Sequence, residues 1–332
     1  MILHPGVIAL IIGSGIALML VLYASALGIK IILRWDIKSS SEEQLSLERK
    51  TYLVSTLVQY ALAFEILSLL LFIYTAEDIH TLLAGAMCAT GSLNANAFGF
   101  PTLCIKIVSF FISASWIAIN HLDNKSEDYP LIKMKYKLLT AVLAVMIIEF
   151  IVQLEYFLGI NPNVITSCCG VMFSEKGEGL ASSLAAFPVL PAKILLYSLF
   201  AVTIASGIAV YRTQQKPLTY LFSVFTFMFF ISSVIAIISF ISLYFYQIPT
   251  HHCPFDVLQK EYYYVGYPIY AALFAGSFFG MITGIIEPLK KIPSLTQIIL
   301  QSQRRWSLYA ITGLALFTLI SSLPMILLPF KM

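Results

Sequence analysis

Long apolar runs separated by short polar segments extend along the whole chain. A helix needs roughly 20 apolar residues to cross about 30 Å of hydrocarbon, and eight runs reach that length. They cover residues 7–30, 51–74, 101–121, 138–158, 190–211, 218–246, 266–286 and 306–328. The pattern therefore predicts an all-α membrane protein, a polytopic bundle of about eight transmembrane helices that forms one integral-membrane domain over residues 1–332.

Composition supports the membrane class independently. Hydrophobic residues make up 59% of the 332 residues and charged residues only 11%, which is too few charges to solvate a globular domain of this size. The chain carries no Gly-Lys-Ser phosphate loop, no Gly-x-Ser-x-Gly turn and no His-Glu-x-x-His zinc motif, which argues against nucleotide-driven activity. The net charge of +3 comes from four of the loops between the apolar runs, and it indicates no patch for nucleic acid.

Lys and Arg residues concentrate in alternate loops. Fifteen of the 20 lie in four loops, namely Lys30, Arg34, Lys38, Arg49, Lys50, Lys125, Lys133, Lys135, Lys137, Arg212, Lys216, Lys290, Lys291, Arg304 and Arg305. By the positive-inside rule these loops face the cytoplasm, so both termini face outward, as do the loops that carry Cys88, Cys168, Cys169 and Cys253. No basic residue precedes the first run, which favours a retained span over a cleaved signal. We expect a multi-pass protein of a bacterial inner membrane.

Each of the three outward loops ends in an aromatic residue followed by Pro. The pairs are Phe100-Pro101, Phe187-Pro188 and Tyr267-Pro268. Pro suits the first turn of a helix because its missing N–H has no partner there. Together with a cysteine in each loop, the motif predicts a repeat of three parallel helical hairpins. The alternative is that helix starts converge on Pro by chance.

Four charged residues fall inside the apolar runs, where ionisable groups are costly and normally paired. Lys106 and Lys193 each follow a Pro by five residues, and Glu65 and Glu149 lie in the preceding runs. We expect two intramembrane ion pairs, Glu65 with Lys106 and Glu149 with Lys193. The alternative is a proton path or a substrate contact, because such pairs also mark translocation routes.

The seventh run leaves one helix face without side chains. Gly276, Gly280 and Gly284 repeat there at four-residue spacing, and small residues at this spacing let helices approach closely in lipid. We expect close packing inside the bundle, with a helix of a partner protein as the alternative. A nearby group of tyrosines is typical of the membrane interface and would also suit a quinone pocket; its members are Tyr262, Tyr263, Tyr264, Tyr267 and Tyr270.

The outward loops carry the residues with chemistry. Cys168 and Cys169 are adjacent, and a disulfide between neighbouring residues would be strained and easily reduced. One hypothesis is therefore thiol redox. It assigns the attacking thiolate to Cys253, with His251 or His252 as its base, the exchanging partner to Cys168 and Cys169, and the relay of electrons to Cys88.

The same loops fit a second hypothesis, ligation of a soft metal. Thiolate and imidazole are ligands of copper and zinc, and the candidate ligands are His80, Cys168, Cys169, His251, His252 and Cys253. Structural disulfides that brace the loops are a third interpretation, and haem held by His80 with His251 or His252 is a fourth. At least one disulfide should join two different loops, while Cys104 should stay a buried free thiol in its helix.

The stretch from Cys88 to Pro101, Cys-Ala-Thr-Gly-Ser-Leu-Asn-Ala-Asn-Ala-Phe-Gly-Phe-Pro, resembles the cysteine-bearing outer loop of vitamin K epoxide reductase homologues. The resemblance implies a helical bundle that passes electrons from extracytoplasmic cysteines to a quinone. That family's active centre is a Cys-x-x-Cys at a helix start. The nearest counterpart here begins at Cys253 and has Asp256 at the second sulfur position.

The sequence thus favours an inner-membrane protein whose extracytoplasmic Cys/His cluster acts in thiol–disulfide redox or in soft-metal handling. Quinone and copper are the cofactors that these hypotheses imply, and a periplasmic thiol protein or metal carrier is the implied partner. Two alternatives place the function elsewhere: a transporter that uses the Glu/Lys pairs, and a non-catalytic anchoring or assembly subunit of a respiratory complex. Whether the protein is an enzyme depends on the choice among them.

Overall fold

The computed structural model describes residues 2–36, 39, 41–162 and 180–328, and its regular structure is helical throughout these ranges. The α-helices are α1 (Pro5–Arg34), α2 (Glu42–Ile79), α3 (Ala89–Leu93), α4 (Gly99–Asp123), α5 (Ile132–Leu158), α6 (Leu180–Ala185), α7 (Val189–Thr213), α8 (Lys216–Ala236), α9 (Ser242–Tyr246), α10 (Gly266–Ile285) and α11 (Thr296–Leu327). A π-helical segment, Ile237–Ile241, joins α8 to α9, and a 3-10 turn spans Asp256–Leu258.

In the described part of the chain, eight helical segments are long and apolar enough to span a membrane. The chain is therefore a multi-pass membrane protein, and the predicted all-helical architecture with eight spans is confirmed. Several helices extend beyond the apolar runs, since α2 begins at Glu42 and α11 at Thr296. Hydropathy marks only the stretch that hydrocarbon can cover, whereas a helix continues through polar residues that water solvates.

The aromatic-Pro motifs stand at helix starts. Pro101 and Pro268 occupy the third position of α4 and α10, and Pro188 caps the start of α7. The missing N–H costs nothing there, because the first N–H groups of a helix have no partner within the helix. The repeat of three parallel hairpins, and the sides of the membrane on which the loops and termini lie, stay predictions.

The chain divides into two compact units. Unit 1 comprises residues 1–75, 95–161 and 291–298, and unit 2 comprises residues 76–94, 162–290 and 299–332. Within unit 1, α5 packs against both α1 and α4, and the core is mostly aliphatic, with Val21, Val58 and Leu139 fully buried.

The glycine face of α10 forms helix contacts inside unit 2, where α8 packs against α7 and α10. A Cβ on Gly276 would lie 2.8 Å from the backbone nitrogen of Leu314, and one on Gly280 would lie 2.5 Å from Thr226 Oγ1. Gly284 is likewise buried against α8. The expected close packing inside the bundle is confirmed. A partner helix on this face is a wrong prediction, because α8 and α11 already cover it.

Gly280→Ala should destabilise the protein by about 1–3 kcal/mol, the usual cost of overpacking. The Thr226 hydroxyl that the new Cβ would meet is held by its 2.8 Å hydrogen bond to the Phe222 carbonyl. Gly15→Ala is the matched control, since its Cβ would meet only the Phe150 ring, at 3.7 Å. Thermal unfolding of both variants in one detergent measures the effect, and equal unfolding temperatures would contradict this packing.

Candidate functional site

Two sulfurs that are distant in sequence meet inside unit 2. Cys88 Sγ lies 3.4 Å from Cys253 Sγ, although 165 positions separate the residues. Both side chains are 0% exposed, and both cysteines are present as thiols. The structure therefore brings together cysteines from two of the three loops that the sequence singled out.

The loop that carries Cys88 is held by a buried carboxylate. Glu77, near the end of α2, accepts the backbone N–H of Ala89 at 2.7 Å through one oxygen. Its other oxygen accepts the side-chain amide of Gln259 at 2.7 Å, and the same amide donates to the Met87 carbonyl at 3.0 Å. Glu77 and Gln259 thus tie the Cys88 loop to the loop that follows Cys253. We call these two residues the clamp.

The loop that carries Cys253 is held by two tyrosine hydroxyls. The Tyr246 hydroxyl donates to the Cys253 carbonyl at 2.6 Å and accepts the Val257 N–H at 3.0 Å. The Tyr270 hydroxyl donates to the Pro254 carbonyl at 2.5 Å. Both hydroxyls satisfy backbone groups of an irregular segment that would otherwise be buried without partners.

Polar groups surround the sulfur pair. Thr90 Oγ1 lies 3.4 Å from Cys253 Sγ, and the Phe255 N–H donates to the same sulfur at 3.5 Å. The carboxylate of Asp256 lies with both sulfurs in one group whose ligand atoms are all within 4.8 Å of one another. Asp256, which occupies the position of the second sulfur in a Cys-x-x-Cys, is therefore a neighbour of the sulfur pair itself.

Asp256 also forms an ion pair with His251. His251 Nε2 lies 2.5 Å from Asp256 Oδ2, and this hydrogen bond raises the pKa of His251 above its ordinary value of 6.5. Burial raises the pKa of Asp256 above its ordinary value of 3.8, because a low-dielectric surrounding disfavours the charged carboxylate. Both shifts have the same consequence. Each of the two side chains retains its proton to a higher pH than it would in water.

His252 is positioned by the π-helical segment. Its Nδ1 lies 2.9 Å from the carbonyl oxygen of Ile238. A π-helical turn departs from the regular i to i−4 bonding and makes backbone groups available to side chains, and Ser239 in the same segment donates to the Phe187 carbonyl at 2.8 Å. His252 is 3% exposed, so it anchors the loop at the residue directly before Cys253.

Among the other predicted ligands and thiols, His80 is not part of the group that holds the sulfur pair. His80 Nδ1 lies 3.3 Å from a carboxylate oxygen of Glu77. Cys168 and Cys169 lie outside the described residues. Cys104 was expected to be buried, and that expectation is wrong: its side chain is exposed on α4. Lys106, two residues further on, lies on the buried face of α4 instead, because its partner Glu149 lies there.

The intramembrane charges pair differently from the sequence prediction. In unit 1, Lys106 Nζ lies 2.5 Å from Glu149 Oε1 and 3.7 Å from Glu65 Oε1. Pairing of Glu149 with Lys193 is therefore wrong. In unit 2, Lys193 donates to the Tyr244 hydroxyl at 2.7 Å and lies 4.7 Å from the centre of that ring. A tyrosine satisfies this ammonium through a hydrogen bond and its π face.

Comparison of the chain with protein-family models, with curated proteins and with solved structures gives no significant match.

Sequence reasoning missed the clamp and the part that Asp256 plays beside the sulfurs. Glu77 stands at the end of an apolar run, where an acidic residue is ordinarily solvated, and Gln259 carries no motif. Asp256 offered a signal, because it stands three residues after Cys253 in a turn. The arrangement can do two kinds of chemistry: the thiols can oxidise to a disulfide with Asp256 as proton acceptor, or the three groups can ligate a soft metal.

His251→Gln should destabilise the protein more at about pH 6 than at about pH 9. The raised pKa of His251 means that its stabilising ion pair is complete below the ordinary value and is lost as pH rises through the folded-state pKa. Thermal unfolding at the two pH values measures the difference. In an Asp256→Asn background the substitution should have the same effect at both pH values; a pH dependence that persists there would contradict the pairing.

Proposed function

We propose that this protein is a bacterial inner-membrane protein whose Cys88 and Cys253 form a thiol–disulfide redox couple. The observation that carries the proposal is the 3.4 Å separation of the two buried sulfurs. A disulfide has an S–S distance of about 2.05 Å, so bond formation needs an approach of only about 1.4 Å from the observed 3.4 Å. The distribution of basic loops supports an outward, oxidising location for both cysteines.

The proposed reaction converts two thiols into one disulfide. The S–S bond forms, the two S–H bonds break, and two electrons and two protons leave the site. Asp256 supports this chemistry, because burial raises the pKa of its carboxyl above the ordinary value and makes it a better proton acceptor than an exposed carboxylate. His251 is hydrogen-bonded to the same carboxylate, so a neutral His251 can take that proton on from Asp256.

The burial of both sulfurs favours a small electron acceptor. Neither thiol has exposed surface, so a folded thiol protein cannot reach them without opening the loops. A quinone dissolves in the bilayer and takes two electrons and two protons to become a quinol, which balances the oxidation. Cys168 and Cys169 keep their predicted role as an exchanging pair between this site and a periplasmic thiol protein.

Oxidation of the purified protein should yield one intramolecular disulfide between the Cys88 and Cys253 peptides. A quinone should oxidise the pair and dithiothreitol should reduce it, with the bond assigned by differential alkylation and mass spectrometry. Cys88→Ser should abolish the bond. Cys104→Ser is the matched control and should leave it unchanged, because Cys104 lies on the outside of α4.

Two outcomes would overturn the redox proposal. A Cys88–Cys253 disulfide that resists reduction in the native protein would show that the bond only braces the loops. Thiols that never form the bond would refute the couple, and the transporter or anchoring hypotheses would then lead.

A second candidate function, soft-metal binding, is favoured by the three-ligand group. Cys88, Cys253 and Asp256 are all buried and lie within 4.8 Å of one another, and two thiolates with one carboxylate can hold zinc. This donor set differs from the predicted one, because the group of ligand atoms within 4.8 Å of one another contains a carboxylate and no imidazole.

Metal analysis of the purified protein tests this candidate. If the site holds metal, zinc should co-purify at one ion per chain and should be lost in both Cys88→Ser and Asp256→Ala. Metal that persists in both variants would place it elsewhere in the protein. A metal-free protein that forms the Cys88–Cys253 disulfide would favour the redox couple.

A further inference from the structure

Three ionisable side chains in unit 1 are buried together and are separate from the thiol chemistry. Lys106 Nζ lies 2.5 Å from Glu149 Oε1 and 3.7 Å from Glu65 Oε1, and none of the three side chains is more than 3% exposed. They come from α4, α5 and α2, each of which is long and apolar enough to span a membrane. We call them the Glu-Lys-Glu triad.

Neutral hydroxyls complete the hydrogen bonding of the triad. Lys106 donates to Ser68 Oγ at 3.0 Å, and that hydroxyl lies 3.0 Å from Glu65 Oε1. Ser109 donates to the second oxygen of Glu149. The Phe72 ring lies 5.7 Å from the ammonium. These groups stabilise the triad by dipoles and by a π face, and none of them brings a compensating charge.

The charges of the triad do not balance when both carboxyls are ionised. Two carboxylates and one ammonium leave a net charge of −1, and Lys106 is the sole cation that contacts either carboxylate in the described part of unit 1. The neighbouring α1 has no charged residue between Pro5 and Ile29. On α5, Glu155 is an exposed carboxylate and supplies no positive charge to the triad. A buried charge without a partner is neutralised by protonation rather than left unpaired.

We infer that the Glu-Lys-Glu triad is an intramembrane proton-binding site, in which the two carboxyls retain one proton between them and Lys106 stays charged. The distances assign the proton. Glu149, in direct contact with the ammonium and with Ser109, is the carboxylate, and Glu65, farther from the ammonium, is the acid.

Gln153 extends the polar surface of this site. It lies one turn beyond Glu149 on the same face of α5 and is 0% exposed. Neither of its amide atoms makes a hydrogen bond within the described chain. Buried amides are ordinarily hydrogen-bonded, so Gln153 adds an unsatisfied donor and an unsatisfied acceptor to the polar surface beside Glu149.

Infrared difference spectroscopy of the protein in lipid nanodiscs near neutral pH tests the inference. The wild-type minus Glu65→Gln spectrum should show loss of a carboxylic-acid C=O band that shifts in deuterated water. Glu149→Gln should also remove the band, because Glu65 then pairs with Lys106 and ionises. Lys106→Met should increase the band about twofold, since both carboxyls are then protonated. Glu155→Gln is the matched control and should leave the band unchanged.

Loss of carboxylate bands alone in Glu65→Gln would overturn the inference, as would an acid band that survives in that variant. Folding itself gives a second test. Glutamine is the closest isostere of a protonated glutamate, so Glu65→Gln should keep the wild-type unfolding temperature while Glu149→Gln lowers it. A Glu65→Gln protein that fails to fold would therefore also refute the inference that Glu65 is protonated. None of these outcomes depends on the state of the cysteines.

Discussion

Hydrocarbon offers no hydrogen-bond partner to a protein, and most of the described structure depends on that constraint. The backbone must satisfy itself, which makes each span a helix. Side chains obey the same rule, so Lys106 bonds to Glu149 and Ser68, and Lys193 bonds to Tyr244. The helix departs from regular bonding at Ile237–Ile241. There the side chains of Ser242 and His252 hydrogen-bond to the carbonyls of Ile237 and Ile238.

In the irregular region around the thiol site, backbone polar groups are likewise satisfied by hydrogen bonds within the protein. The loops that carry Cys88 and Cys253 have backbone groups that no helix satisfies. Glu77, Gln259, Tyr246 and Tyr270 bond to those groups, and each bond also fixes one loop in place. The clamp joins the two loops directly. Proximity of the sulfurs therefore follows from the hydrogen bonds that satisfy the backbone of both loops, and Asp256 is brought beside them by the same turn.

Several features could be predicted because they depend on local sequence. Hydropathy runs marked the eight spans of the described residues, and the aromatic-Pro motifs marked three helix starts. The pairing of intramembrane charges could be predicted only in part, since sequence offset placed Lys106 near Glu65 and did not show that Glu149 is nearer. For the same reason the predicted burial of Cys104 was wrong: which face of α4 is buried depends on where its neighbours supply partners for Lys106.

The sequence by itself determined that the chain crosses a membrane, how many helices do so, and which residue types carry chemistry, because apolar length and residue chemistry are properties of single segments. The tertiary structure alone decided that Cys88 meets Cys253, that Asp256 lies beside them, and that one lysine serves two glutamates. These are relations between segments far apart in the chain. They are set by how buried polar groups find partners once the helices have packed, and no local pattern encodes them.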